Sequence, residues 1–375
     1  MEKKLRILIY SDHFFPSIGG SENYAMDLAN ELSREGHKVG VITAEKSDVK
    51  NEFPFELFRL QRPISIKRMN INFVEVIHII KIYKPDVFHI NYQTGGENIL
   101  IPFLKIMKIP IFITYHADHV VLLGRLIDEF QRVTTFRLAS IITVQSDHDA
   151  RKFRDRGYSN KKLKLFRFSG IDTNKYKCKE GYNINMDPIK LLCVARLDEG
   201  HKYKGVGELI SNMIQLRSKN KAINLNLEII GDGELRSSYE DECIVNKIDN
   251  IKFLGNMQDK EIINSLCRTN FLILPSINTA EGFGRVVLEA ISCGTPVIVS
   301  MYAGISELIK RYNAGIVYDP NNFNLLVNEL IDISKNPSKI RNFISNGRKL
   351  INEENLSLYK TTKKVVELYN KILGN

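Results

Sequence analysis

Two carboxylates stand eight residues apart in the stretch Ser276 to Gly294, SINTAEGFGRVVLEAISCG. Glu281 and Glu289 are thus a little over two helical turns apart. A helix starting near Gly284 places the first at its mouth and the second inside it on one face. A carboxylate accepts two hydroxyl hydrogen bonds at once, and charge-assisted bonds are the stronger kind. Each glutamate is therefore suited to grip one hydroxyl-rich end of a ligand. Between them Gly282, Phe283 and Gly284 lead into a helix N-terminus, where backbone N–H groups face negative charge. The ligand that fits is polyhydroxylated, with a phosphate between its two ends. The plainer alternative is a buried helix with two solvated glutamates.

Other residues suit the same kind of ligand. Gly19-Gly20-Ser21-Glu22 follows the first strand and opens the first helix, so flexible backbone and a helix N-terminus meet where a phosphate could dock; a turn and an N-cap is the alternative. The pattern is not G-x-G-x-x-G, and no acidic residue closes the following strand KVGVITA, so a nicotinamide dehydrogenase is the weaker reading. Arg196 and Lys204 flank the turn after the strand LLCVA, where fixed cations can stabilise charge developing on a phosphate. His116 ends the strand IFITYH at its carboxyl edge, as a ligand contact or as a satisfied polar residue near the core. Gly231-Asp232-Gly233, with Glu234, most simply makes a strand-to-helix turn.

The elements that must position these residues alternate regularly. RILIYS, a helix from Ser21 to about Glu35 stopped by Gly36, and KVGVITA begin a βαβ rhythm that implies parallel sheets covered on both faces. It continues through the helical VEVIHIIKIYK, the strand DVFHIN, a helix around Ile99 to Lys108, IFITYHA, a helix from about Asp128 and SIITVQS. The polar run from Tyr176 to Pro188 breaks the rhythm and marks a domain boundary. A second series follows: IKLLCVARL, LNLEIIGDG, NIKFLG, NFLILPS, TPVIVS and AGIVYD, with helices such as GVGELISNMIQL and DKEIINSLCR between them. Beyond Pro337 the chain is helical. Two doubly wound domains, 1–180 and 188–355, are expected, with ligands bound outside the carboxyl ends of their strands.

Composition narrows the classes. The chain has 375 residues, enough for two ordinary domains, and no apolar run long enough to span a membrane. The N-terminus MEKKLRILIYS enters a strand rather than a signal peptide, so a cytoplasmic protein is expected. Its five cysteines, Cys178, Cys193, Cys243, Cys267 and Cys293, form no Cys-x-x-Cys pair; neither a disulfide nor a zinc site is expected, only small buried side chains. The net charge of +10 is uneven, +8 over residues 1–180 against +2 over the remainder. Attraction of the first half to an anionic acceptor or lipid surface would account for this; lysine-rich composition alone would raise both halves. Lys67 and Arg68, upstream of the apolar helix NINFVEVIHIIKIYK, suit a membrane surface, although such a helix is also the ordinary core-facing layer of a Rossmann-like domain.

TAEGFGRVVLEAISCGTPVI resembles the paired-glutamate motif of the GT-B-fold retaining glycosyltransferases of the family-four, group 1 type. IGGSE, VARLDEGHKYKG, IIGDGELR, FLGNM and AGISELI match that family's landmarks in order, so the resemblance spans nearly the whole chain. It implies two Rossmann-like domains facing a cleft, with the last helix, about 356–373 (LYKTTKKVVELYNKIL), crossing back onto the first. It implies transfer of a sugar, with retention, from a nucleoside-diphosphate sugar to a glycan or lipid-linked acceptor in cell-surface polysaccharide or glycolipid synthesis. A nucleotide-sugar epimerase and a non-catalytic nucleotide-sugar-binding module are the alternatives.

By the same resemblance, the backbone of Gly19 and Gly20 approaches the donor, and Arg196 and Lys204 hold its phosphates. Lys204 is preferred to Lys202 across the longer loop because Gly205 follows it. His116 contacts the sugar, with Asp118 two residues on; Gly231 and Gly233 lie near the base pocket; the backbone from Ile251 to Gly255 reads the base. Glu281, Gly282, Phe283, Gly284 and Glu289 complete donor binding, and Glu281 joins His116, Arg196 and Lys204 as catalytic. The strand ends are read as carrying no Asp-x-Asp of the metal-binding transferase type, so no metal or other cofactor and no nucleic-acid partner is expected. Lys67, Arg68, Lys81, Lys84, Lys105 and Lys108 are the candidates for reversible contact with an anionic membrane on the acceptor side. Ser169 and Ser306 depart from the family's asparagine and proline.

Overall fold

Runs rich in isoleucine, leucine and valine recur through the chain, and most become parallel strands buried on both faces. The computed structural model describes residues 3–17, 19–47, 52–61, 64–66, 69–92, 96–116, 136–159, 161–178, 185–218, 223–336 and 338–374. It divides into two units, Met1–Gly170 with Leu358–Asn375, and Ile171–Ser357. The expected boundary at the run 176–188 thus moves upstream. Ile171 and Tyr176 are buried in the second unit's core, and the Ile171 N–H donates to the Leu356 carbonyl at 2.9 Å. Burial decides the boundary here, and a polar composition does not report it.

The first unit contains β1 (Arg6–Ser11), β2 (Lys38–Thr43), β3 (Glu56–Arg59), the antiparallel pair β4 (Ile64–Ile66) and β5 (Met69–Ile71), β6 (Val87–Tyr92), β7 (Ile111–Tyr115), β8 (Ile141–Val144) and β9 (Leu163–Leu165). Its helices are α1 (Gly20–Arg34), α2 (Phe73–Tyr83), α3 (Leu100–Ile106) and α4 (Asp147–Asp155). Seven strands form one sheet in the order β3-β2-β1-β6-β7-β8-β9. β3, β9 and the β4–β5 pair escape the sequence reading because each is only three or four residues long, too short to show a period. The helix expected from about Asp128 lies outside the described residues. α1 buries Ala25, Leu28, Ala29 and Leu32, spaced three and four apart, and ends where Gly36 takes the left-handed φ of 83°.

The second unit holds β10 (Ile189–Val194), β11 (Leu225–Ile230), β12 (Ile251–Gly255), β13 (Phe271–Leu274), β14 (Val297–Ser300) and β15 (Gly315–Tyr318), with α5 (Val206–Ser218), α6 (Arg236–Val245), α7 (Asp259–Arg268), α8 (Arg285–Cys293), α9 (Ser306–Tyr312), α10 (Phe323–Lys335) and α11 (Ser338–Glu353). The order β12-β11-β10-β13-β14-β15 is the doubly wound arrangement, which reverses between β10 and β13. In the first sheet the reversal falls between β1 and β6. The last helix, α12 (Leu358–Leu373), belongs to the first unit, where Val365, Val366, Leu368 and Tyr369 join Leu28, Leu32, Phe112 and Phe168 in one apolar cluster.

The cysteines depart from expectation. Cys178 and Cys267 are joined in a disulfide with Cα atoms 5.6 Å apart, across a sequence separation of 89. Pairing at that range leaves no trace in spacing. Cys193, Cys243 and Cys293 are free and buried.

α12 also closes a polar seam. His89 of β6 is fully buried, with Nδ1 paired to the Tyr369 hydroxyl and Nε2 to Thr114 Oγ1 at 3.1 Å. Burial pushes its imidazole down to about 3, so the folded protein keeps it neutral while an unfolded chain protonates it below its ordinary value near 6.5. The unfolded state therefore binds the extra proton between those limits, and stability falls as pH drops through them. Urea unfolding should show a loss approaching 1.4 kcal/mol per pH unit below about pH 6; a folded His89→Gln variant should lose that part of the slope.

Candidate active site

The second sheet's reversal sends two loops out from adjacent strand ends. After β10 the chain runs through Arg196 and a 3-10 turn, Glu199–Lys204, to Gly205 at φ 72°. After β13 it runs through Ser276 to Glu281. The loops lock together: the Ile277 N–H donates to the Tyr203 carbonyl at 2.9 Å, and a Cβ on Gly205 would stand 2.1 Å from the Pro275 carbonyl oxygen. Only glycine allows that approach at that φ.

This packing brings Lys204 Nζ to 2.8 Å from Glu281 Oε2, with side-chain exposures of 18% and 9%. Ser276 Oγ donates to the same carboxylate oxygen at 3.5 Å, and the ammonium lies 5.4 Å from the Tyr203 ring centroid. Burial works to lower the Lys204 pKa, but the Glu281 carboxylate, the Tyr203 hydroxyl and the hydrogen bond outweigh it, and the net shift is upward. Lys204 is therefore a fixed cation. Lys202, its rival in sequence, points into solvent and pairs with Glu199 at 2.8 Å. Arg196 is half-buried on the same turn, near enough to act electrostatically on Tyr203. At the end of β10 the Cys193 thiol is pushed up to about 12 by burial, between the opposing influences of Lys204 and Glu281.

The loop after β11 meets the same turn. Gly231 (φ 133°) and Gly233 (φ 154°) lie against the backbone of residues 195 to 198, where a Cβ would fall 1.8 Å from the Ala195 carbonyl oxygen and 2.4 Å from the Leu197 carbonyl carbon. Leu197 N–H donates to the Asp232 carbonyl at 3.0 Å, and Gly231 N–H to that of Gly255 at 2.8 Å. The glycines thus hold the shape of the Arg196 turn. Ile251 is not brought here: it begins β12, buried and paired with Leu227, so it is the far end of that strand, at Gly255, that lies beside Gly231.

α8 starts at Gly284, whose φ of 80° makes a left-handed cap. Gly282 accepts the Gly304 N–H at 2.9 Å, and Phe283 is buried in the core. Glu289 is buried too, its Oε1 3.5 Å from Arg285 Nε one turn earlier. Glu281 and Glu289 therefore sit where the spacing predicts, loop mouth and inner helix, each beside a cation. Ser306, which takes a proline's place, begins α9 with its N–H donated to the Ala303 carbonyl at 2.9 Å, a bond proline could not make.

In the first unit Gly19 and Gly20 open the 15-residue α1 next to the β1–β6 reversal. A Cβ on Gly20 would meet nothing within 4 Å. His116 directly follows β7, its Nε2 2.5 Å from Asn91 Oδ1 and its ring packed on Tyr24 and Phe168 at centroid distances of 5.3 and 5.0 Å. The Asn91 amide nitrogen donates to Ser11 Oγ (2.9 Å) and the Ser21 carbonyl (3.1 Å), so its oxygen faces the histidine and Nε2 carries a proton. Ser21 Oγ donates to the buried Glu22 at 2.9 Å. Asp118 lies outside the described residues, as do Lys67 and Arg68.

One Asp-x-Asp does follow a strand, contrary to expectation. Asp147-His148-Asp149 is separated from β8 by two residues, and its carboxylates are engaged by Ser146, the helix cap, and by Arg167. Ser146 Oγ accepts the Asp149 N–H at 3.0 Å and donates to its carboxylate at 2.6 Å, while Asp147 pairs with Arg167 at 3.3 Å. Burial pushes the Asp149 carboxyl up.

Set beside known proteins, residues 18–174 match the description Glycosyltransferase Family 4 and residues 174–350 match Glycosyl transferases group 1. The chain belongs to this glycosyltransferase family. An uncharacterised glycosyltransferase of Methanocaldococcus jannaschii is 24% identical over 339 residues, covering 89% of this chain and 90% of its own. The alpha-monoglucosyldiacylglycerol synthase of Streptococcus pneumoniae is 22% identical over 338 residues, 84% of this chain and 75% of its own. The structure of Anabaena HepE in complex with UDP superposes with a TM-score of 0.78 at 19% identity, covering 97% of this chain and 99% of that one. The fold of this glycosyltransferase is GT-B.

Sequence reasoning missed Asn91, Tyr203 and Arg285, each of which touches a candidate residue. None carries a motif signal of its own; only the topology that places Asn91 beside His116, and the i, i+4 relation of Arg285 to Glu289, could have found them. In this glycosyltransferase the Lys204–Glu281 pair is a structural element as well as a candidate ligand site. Removing one partner of a fully buried pair costs about 3–5 kcal/mol and of an exposed one under about 1 kcal/mol, so this part-buried pair lies between them. Lys204→Met should lower the urea midpoint accordingly, while Lys202→Met should leave it unchanged; equal effects would contradict the placement of the two lysines.

Proposed function

We propose that the protein is a retaining glycosyltransferase that takes its sugar from a nucleoside-diphosphate donor, with Lys204 and Arg196 holding the diphosphate and Glu281 and Glu289 gripping hydroxyls. The observation that carries this reading is the half-buried Lys204–Glu281 pair at the reversal of the second sheet, where doubly wound sheets bind ligands. As the bond from the anomeric carbon to the phosphate oxygen breaks and one to the acceptor oxygen forms, negative charge grows on the leaving diphosphate. A preplaced cation then lowers the barrier by roughly 3–4 kcal/mol. That charge is met by side chains, so the reaction is proposed to need no metal. The complex of Anabaena HepE with UDP supports a nucleoside-diphosphate donor.

The acceptor is proposed to be lipid-linked or a glycan, met by the first unit. No described helix is long and apolar enough to cross a membrane. α2 and α3 nevertheless expose Val74, Ile82, Phe103 and Ile106, their rings meeting where Phe73 and Phe103 stand 4.3 Å apart. Lys81, Lys84, Lys105 and Lys108 are exposed on and beside the same helices. Apolar side chains among lysines suit shallow, reversible contact with an anionic lipid surface on the cytoplasmic side. The lipid product named for the Streptococcus pneumoniae relative is consistent with it.

Incubation with a panel of sugar nucleotides and lipid-extract acceptors should release nucleoside diphosphate and form a glycoside of retained configuration by NMR, with or without chelator. Lys204→Met should lower turnover at least 100-fold. Epimerised sugar without nucleotide release would mean an epimerase; binding without turnover would mean a binding module. Sedimentation with anionic vesicles should fall in high salt and with Ile82→Glu or Ile106→Glu. Equal sedimentation with neutral vesicles, or none with either, would remove the membrane from the account.

A further inference from the structure

Three sulfurs meet in the second unit far from one another in sequence. The Sγ atoms of Cys178, Cys267 and Cys293 all lie within 4.8 Å of one another, the first two joined and the third free and buried beside them. Their proximity does not depend on the disulfide alone. Ser292 Oγ donates to the Tyr176 carbonyl at 2.7 Å, tying the segment before Cys178 to the residue before Cys293. Thr295 Oγ1 donates to the Leu266 carbonyl at 2.7 Å, tying the turn after α8 to the residue before Cys267. Tyr176, Leu266 and Cys293 share one apolar cluster, with Cys178 and Cys267 packed on it. Reduction therefore leaves three thiols gathered.

That geometry has a natural occupant. Thiolates about 2.3 Å from a tetrahedral zinc-like ion stand about 3.8 Å apart, within reach of this cluster by side-chain rotation. Cys267 and Cys293 lie at the carboxyl ends of α7 and α8, where the helix dipoles present negative charge. Such an environment opposes bare thiolates and favours a cation held among them. We propose that the reduced Cys178–Cys267–Cys293 cluster binds a thiophilic cation of the zinc class, and that the disulfide closes the site.

The chemistry balances with a dithiol as reductant. Exchange breaks the Cys178–Cys267 bond, giving two cysteine thiols and one oxidised dithiol; a divalent ion then displaces three protons as three metal–sulfur bonds form, and water supplies the fourth ligand. In the metal-free form, exchange with the oxidised dithiol runs the step backwards, restoring the Cys178–Cys267 bond and releasing the reduced dithiol. The bound ion would pin the carboxyl end of α8, one turn beyond Glu289, to α7 and to the first residues of the second unit. This site is independent of the transferase reading.

The test uses the full chain, reduced with a phosphine under argon and titrated with Cd²⁺. One equivalent should bind, with a thiolate-to-cadmium charge-transfer band in the ultraviolet, and Zn²⁺ should compete. Cys293→Ser and Cys178→Ser should each abolish the saturable band, whereas Cys193→Ser and Cys243→Ser should keep it; should Cys293→Ser fail to fold, Cys178→Ser, at a half-buried position, carries the test. Protein with the disulfide intact should not bind. Absence of stoichiometric binding by the reduced chain, or binding unaffected by the loss of Cys178 or Cys293, would overturn the proposal.

Discussion

A half-buried ammonium against a half-buried carboxylate organises the strand-end loops of the second unit. Taking either charge out of water alone costs several kcal/mol, and only close, well-supported contact offsets that. Lys204 and Glu281 meet this condition at 2.8 Å because the two loops carrying them leave adjacent strand ends and lock backbone to backbone at Tyr203 and Ile277. The glycines follow from the same constraint. Gly205, Gly231 and Gly233 take positive φ with a neighbouring loop's backbone between 1.8 and 2.4 Å from where a Cβ would sit, so any side chain there would push the loops apart.

The first unit solves the corresponding problem with neutral groups. From Tyr369 of the last helix, hydrogen bonds run through His89, Thr114 and Asn91 to His116. The last helix thus does more than cover apolar surface: it sets the polar seam that orients the histidine at the strand edge. Burial keeps His89 itself neutral at neutral pH. In the second unit the Lys204–Glu281 ion pair stands at the sheet's reversal, where an anionic diphosphate is proposed to sit.

How much of this was legible in the sequence follows from range. The βαβ rhythm, a helix starting near Gly284 and the stop at Gly36 are local matters of period and backbone freedom, and they are legible in the sequence. The preference for Lys204 over Lys202 rested on the following glycine, and that glycine is what the packing of the turn requires. Contacts joining distant residues were hidden: Cys178 with Cys267, Tyr369 with His89, Asn91 with His116. The Asp147-His148-Asp149 run carries no sign of its partners in the sequence: one carboxylate accepts from the capping Ser146 hydroxyl and the other pairs with Arg167. Ile251 was placed at the site on resemblance, yet its strand carries it into the core.

The central claim, that a preformed Lys204–Glu281 pair receives the diphosphate, is tested most directly by a double-mutant cycle on nucleoside-diphosphate affinity measured by calorimetry. Residues in contact are coupled, while independent sites add. Lys204→Met and Glu281→Gln should each weaken binding at least tenfold, and the double variant should lose much less than the sum of the two. Strictly additive losses, or a Lys204→Met variant that binds the diphosphate as tightly as the parent, would contradict the account.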